Sequence, residues 1–457
     1  MMRLLVLLLL CFPPIAVIAQ STSQLSFETY LSWIKAYHPV SKQAELVVKQ
    51  GKARLQQARG GFDPILEGQT AKKDFDGKNY YVHEQYGLRV PTWFGIEVLG
   101  EYDRGQGVFL DPMRSTPADG LYRAGLSMPV GAGLFIDKRR AELRKGQIYR
   151  DAALVERQAM LNDLMYEAGK AYWEWAQAYA ELQVYQQAYD ISNEVLKGVI
   201  LAARYGDRAA VDTLEALIQR DNWAQRLREG QMKYFESGYA LSVFLWTEDG
   251  LPLELKPEVT PDSLSAQLRL PTFNTDFINN HPEYRLYDFK LQQLNIERRL
   301  ALEYLKPKID LKYYALNQTT RPELTPFQGQ QTGISVRFPL FLRSERGQLN
   351  IIRLSTASTS WEQDLKANEL KQKQLRIAMQ KEQLDELART QIGLVGQTLL
   401  LLDAEKTRFS TGESSIFILN QREVAVVNTR LKLLEMQMKR QKNVLEQWWI
   451  LGNMADY

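Results

Sequence analysis

The chain has 457 residues, 45% of them hydrophobic, and a formal net charge of +3. Charge this close to balance excludes the basic field that a nucleic-acid partner needs, and the length allows roughly two or three ordinary domains. A single cysteine, Cys11, excludes a disulfide or thiolate-metal framework.

The N-terminus reads as a secretory leader over residues 1–19. Arg3 supplies the positive charge, Leu4 to Leu10 the apolar core, and Val17-Ile18-Ala19 the small-residue cleavage site. The mature chain is expected to begin at Gln20 and to be thiol-free. Leucines, not small residues, precede Cys11, which argues against lipidation there. No later run of about eighteen apolar residues appears, so no spanning α-helix is expected and any spanning segments are β-strands.

A first helix begins near the "YHP" at 37–39. Strands are then expected between about 64 and 130. "YYVHEQYGLRV", "WFGIEVLGEYDRG" and "LYRAGLSMPV" alternate polar and apolar residues, with aromatics near their ends, the pattern of a transmembrane barrel. Two or four strands fit this half, because the first two segments form an optional extra hairpin.

A very long helix follows. Leu154, Leu161, Ala168, Trp175, Leu182, Tyr189, Leu196 and Ala203 hold one seven-residue register, which is coiled-coil spacing. From about 139 to 204 such a helix is roughly 100 Å long, a span rather than a compact-domain element. "RYGDRAAVDTLEA" (204–216) then reverses the chain. Gly206 suits the left-handed residue that ends a helix, and Asp207 is placed to cap the next one. A first repeat thus covers 20–240, with its tip at 204–208, and residues 241–275 form a linker.

Residues 276–457 say the same thing again. "NHP" at 280–282 echoes "YHP", Pro307 echoes Pro64 at the same offset, and "ISVRFPLF" echoes "GLSMPV". Two strands are expected at about 308–318 and 330–341. A second long helix ends in "RFSTGESSIFILNQ" (408–421), a tip at 408–414 closed by Gly412 with Ser410 and Thr411. Phe417, Val424, Leu431, Met438 and Leu445 continue the heptads. Four or six strands per chain are too few to close a channel-forming barrel alone. Open edges are forbidden in lipid, so several chains must join.

In order and duplication, the chain resembles the TolC-like outer-membrane factors, the exit ducts of efflux pumps and type I secretion. The resemblance covers essentially the whole mature chain. It rests on the duplication, the tip with Gly206, Asp212 and Leu214, the "FPLF" before the second long helix, and the His-Pro helix starts. It implies an α+β membrane protein, with a long antiparallel coiled-coil helical barrel in the periplasm. A transmembrane β-barrel in outer-membrane lipid would be completed by trimerisation. It further implies a homotrimer opened by a periplasmic adaptor protein and an inner-membrane transporter. The adaptor would dock on the tips, at Arg204, Tyr205, Gly206, Asp207, Asp212, Leu214, Gly412 and Glu413. The family's usual four strands per chain leave the extra hairpin as a departure.

Family gates use acids and salt bridges near the tips, which nominates Asp403, Glu405 and Arg408. A ring of three Asp403 side chains would favour cations. Nothing points to an enzyme, a cofactor or a metal site. His38 and His281 precede prolines and read as helix starts, and no zinc spacing, phosphate loop or nucleophile elbow occurs. Trp173, Trp175 and Tyr179 read as helix packing. The alternative is a secreted or periplasmic coiled-coil scaffold without channel activity.

Overall fold

The computed structural model describes residues 24–272, 276–318 and 329–456. The expected leader and Cys11 lie outside these residues. The chain divides into two compact units. One is Met1–Ile34, Ala168–Leu268 and Leu384–Lys442; the other is Lys35–Glu167, Arg269–Gln383 and Asn443–Tyr457. Both units therefore draw on both halves of the sequence. Among the described residues no helix is long and apolar enough to cross a membrane.

The second unit is built around a sheet. Helix α2 (Pro39–Arg59) starts at Pro39, with the Nδ1 of His38 accepting from the Val40 N–H at 3.2 Å. It delivers the chain into β2 (Ile65–Phe75) and β3 (Lys78–Pro91), joined by Asp76 and Gly77, both at positive φ. That is the Asp-Gly geometry of a tight β-hairpin. Strand β3 ends at Pro91, which has no N–H to donate. Strands β4 (Glu97–Gln106) and β5 (Leu121–Pro129) follow. From the second half come β7 (Lys308–Asn317) and β8 (Gly329–Arg337). The six form one sheet in the order β2-β3-β4-β5-β7-β8, antiparallel throughout. The extra first-half hairpin is therefore present and fully paired. The expected 330–341 strand stops at Arg337.

The sheet has two chemically distinct faces, because alternate side chains point opposite ways. Register aligns Tyr86, Tyr102 and Tyr122 in one row, and Val90, Val98, Leu126 and Tyr313 in another. These share a face with Leu66, Leu88, Met128, Ile334 and Val336, and all of the apolar side chains just named on this face, Val90, Tyr102 and Tyr122 apart, are exposed. The opposite face is ionic. Arg123 on β5 pairs with Glu101 (2.8 Å) and with Asp103, both on β4, and the Tyr314 hydroxyl donates to Glu101 at 3.2 Å. The Tyr314 ring crosses Gly125, where a Cβ would lie 2.5 Å from it. Arg139 at the following helix start reaches Glu97 at 2.5 Å.

The same unit holds α6 (Pro282–Glu303), which starts at His281. Here the expectation of a capping histidine is corrected. The His281 ring makes no cap bond and is fully buried, edge-on to Trp449 at 5.3 Å. Burial lowers its pKa to about 4. The Lys373 amine lies over the Trp449 ring, 3.5 Å from its centroid, close enough for a cation–π attraction.

The first unit is helical. It contains the C-terminal parts of α3 (Lys138–Arg204) and α7 (Arg343–Ser410), with α4 (Ala210–Ser242) and most of α8 (Ile416–Ile450). Trp173, Trp175 and Tyr172 are buried, as packing residues. The linker is strapped to the N-terminus by β1 (Gln24–Leu25) pairing with β6 (Thr260–Pro261). Asp262 accepts from the Phe27 N–H at 2.7 Å and from Gln24 at 2.8 Å. Gln441 on α8 holds the linker carbonyls of Leu264 and Ala266.

Two stripes in this unit stay uncovered. Val211, Ile218, Met232 and Tyr239 on α4 are exposed, as are Leu387, Leu394 and Leu401 on α7. Members of each stripe lie seven residues apart or a multiple of it, the spacing of a coiled-coil seam.

Candidate gate and docking tips

The two reversals at the ends of α3 and α7 are built alike. Gly206 and Gly412 both sit at φ +81°, where any side chain would strain the backbone. At the first tip, Gly206 N–H bonds to Ala203 O (3.2 Å) and Asp207 N–H to Ala202 O (3.0 Å). At the second, Gly412 N–H bonds to Phe409 O (3.2 Å) and Glu413 N–H to Arg408 O (2.9 Å). Both are Schellman caps, which satisfy the last carbonyls of a helix.

The next helices start differently from expectation. The N-cap of α4 is Ala209, with no side-chain cap bond. Asp207 closes α3 through its backbone instead of capping α4. Asp212 lies in the first turn of α4, where a negative charge suits the helix dipole. At the second tip the hydroxyl of Ser415 accepts from the Ile418 N–H at 3.4 Å. Ser410 and Thr411 donate back to carbonyls of α7, including Thr407 at 2.7 Å and Arg408 at 3.0 Å.

Four helices meet beneath the tips. Leu196 and Val199 of α3, Ala216 of α4, Leu402 of α7, and Ile416, Leu419 and Val426 of α8 form one buried cluster. Above it the tips are bolted together by a residue that sequence reasoning missed. Arg208 donates from Nη2 to Phe409 O at 2.8 Å and from Nη1 to Ser414 O at 3.3 Å. Its guanidinium lies 4.0 Å over the Phe409 ring. The only available signal was an arginine two residues past the helix-ending glycine of one tip and an aromatic before the glycine of the other.

The predicted gate residues fall into two environments. Glu405 is buried and accepts from the Ser414 hydroxyl. Arg408, exposed, and Arg422, half-buried, stand at 3.8 and 4.0 Å from it. Asp403 is exposed, and no ion pair to it occurs among the described residues. Arg204, Tyr205, Gly206, Asp207, Leu214, Gly412 and Glu413 are all exposed at the tips. On α8, Glu423 is buried with one carboxylate oxygen unpartnered. Burial lifts its pKa to about 7, against the pull of Lys406. Among the described residues no cluster of His, Cys, Asp and Glu has the geometry to hold a metal ion.

No family model matches the chain, and no curated protein matches it in sequence. Solved structures do match it in fold. The Campylobacter jejuni CmeC outer membrane channel is 13% identical over 93% of this chain and 85% of its own, with a TM-score of 0.67. The outer membrane protein VceC of Vibrio cholerae is 13% identical over 93% and 96%, at 0.67. The open state of the Neisseria gonorrhoeae MtrE outer membrane channel is 15% identical over 93% and 88%, at 0.68. The chain therefore has the fold of the bacterial outer-membrane channels.

Proposed function

We propose that this chain is the passive exit duct of a tripartite efflux pump or type I secretion system. It would sit in the outer membrane and extend into the periplasm. The observation that carries this reading is the six-stranded sheet, with one face largely apolar and exposed and the other ionic. A soluble sheet buries its apolar face; a barrel wall gives that face to lipid and the ionic face to water. A coiled-coil scaffold has no use for such a sheet.

Assembly is supported by what one copy leaves uncovered. The apolar stripes on α4 and α7 suit a second copy of the same helices, and a homotrimer is the assembly proposed. The matched order of strands and long helices in the two halves, ending in twin Schellman caps, supports an internal duplication. At the tips, Arg204, Tyr205, Asp207, Asp212, Leu214 and Glu413 form the docking surface for a periplasmic adaptor. The glycines Gly206 and Gly412 set its shape, and an inner-membrane transporter would act through that adaptor. Asp403 is proposed to line the closed gate, and Glu405 and Arg408 to brace the second tip beside it. No cofactor is part of this mechanism: opening is a rearrangement of helices.

Fractionation with seminative electrophoresis tests the reading. The expected result is a heat-resistant oligomer in the outer-membrane fraction. A soluble periplasmic monomer would overturn it.

A further inference from the structure

The sheet has two unpaired edges. Among the described residues strand β2 is bonded only to β3, and β8 only to β7. These two are also the most exposed strands: every residue of β8 is exposed, and all but one of β2. In water an edge strand is commonly shielded by charge, proline or a bulge. Strand β8, "GQQTGISVR", carries none of these before its final arginine. In lipid each unpaired backbone group is costly, so both edges need a partner.

Direction and facing settle which partner fits. The six strands alternate direction across the sheet, so β2 and β8 run opposite ways. A second copy laid beside the first therefore brings its β2 antiparallel to β8. The faces also continue across the joint. Leu66 and Thr70 on β2 lie on the apolar face, as do Thr332, Ile334 and Val336 on β8.

The inner strands leave no alternative edge. Strand β4 pairs with β3 from Val82↔Gln106 to Pro91↔Glu97, and with β5 from Glu97↔Ser127 to Asp103↔Leu121. The β2–β3 hairpin is thus a full member of the wall, not an appendage to a four-stranded one.

We propose that β2 of one copy pairs with β8 of the next, so that three copies close an 18-stranded barrel rather than the 12-stranded one of four-stranded chains. This rests on the membrane-duct reading above and adds the seam and the width to it. Barrel diameter grows about linearly with strand number, so the lumen is about half again as wide. Barrels of 16–18 strands leave a water-filled channel. A wider wall suits bulkier cargo than a twelve-stranded duct passes.

Cysteine pairs read the seam directly, because Cys11 is the only native cysteine. Thr70→Cys with Thr332→Cys marks the proposed joint. Gly100→Cys with Thr332→Cys marks a joint at β4, at a position with nothing within 4 Å of its missing Cβ. A thiol cross-linker of about 10 Å reach tolerates about three residues of register in either direction. The expected result, in outer-membrane fractions, is a ladder ending at a covalent trimer for the first pair and monomer for the second. A ladder ending at dimer means twelve strands from two copies and overturns the proposal, as does cross-linking through Gly100→Cys. An uncross-linked oligomer in the membrane overturns the seam but leaves the duct reading standing. A soluble monomer overturns the duct reading itself.

Discussion

The guanidinium of Arg208 donates to the carbonyl oxygen of Phe409 at 2.8 Å and lies over that residue's ring at 4.0 Å. One residue just past the end of α3 thereby holds the last turn of α7. The contact ties the two hairpins of a protomer together at their tips.

Arg208→Ala removes two charge-assisted hydrogen bonds and a stacked cation, a loss of about 1–3 kcal/mol. The expected outcome is more frequent spontaneous opening in planar bilayers, with unchanged oligomer yield. Arg208→Lys keeps the charge but loses the planar fork, so it should fall between wild type and alanine. Identical opening frequencies in all three proteins would remove Arg208 from the closure.

Gly206 and Gly412 sit at φ +81°, and proline is fixed near −65°. Gly206→Pro and Gly412→Pro should therefore unmake the Schellman caps and abolish efflux, while membrane insertion and the heat-resistant oligomer persist. Efflux at wild-type levels in both variants would show that the tips do not dock the adaptor.

Asp403 and Glu405 should separate in their effects. Asp403 is exposed, so Asp403→Asn is expected to lower cation preference and weaken divalent block. It should cost no more than about 1 kcal/mol of stability, the scale of exposed charges. Glu405 is buried on the Ser414 hydroxyl, so Glu405→Leu should lower thermal stability by about 1–3 kcal/mol through the orphaned partner. Ion-selectivity measurements and thermal melts of the two single variants distinguish these roles. Equal changes in selectivity from both would place both acids on the lumen.

His281 and Glu423 give opposite pH dependences. His281 titrates near 6.5 unfolded and about 4 folded. The unfolded chain binds the extra proton between these values, so stability falls as pH drops from 6.5 toward 4. Glu423 titrates near 4.5 unfolded and about 7 folded, so its contribution is present below 4.5 and lost as pH rises through 7. His281→Phe should flatten the acid limb, and Glu423→Gln the neutral one, in melts recorded across pH. Unaltered limbs in these variants would mean that other groups carry the titration.

Most of the fold was legible because its signals are local and repeated. Heptads mark α3 and α8, and glycines mark both reversals. The strand number was not settled, since β2 carries Lys72, Lys73 and Asp74 and lacks a clear apolar alternation. The Asp76-Gly77 turn was its available marker. The tips were found, but their fastening was not. Arg208 acts across helices that are distant in sequence, and α4 takes Ala209, not Asp207, as its N-cap. His281 matches His38 in sequence yet is turned into the core by Trp449, a contact no local pattern encodes.

Single-channel recording of the purified wild-type protein in planar bilayers tests the central claim most directly. The duct reading predicts stepwise insertion of uniform, low-conductance channels that open more often in Arg208→Ala. A protein that remains in detergent-free solution and produces no conductance steps would contradict it.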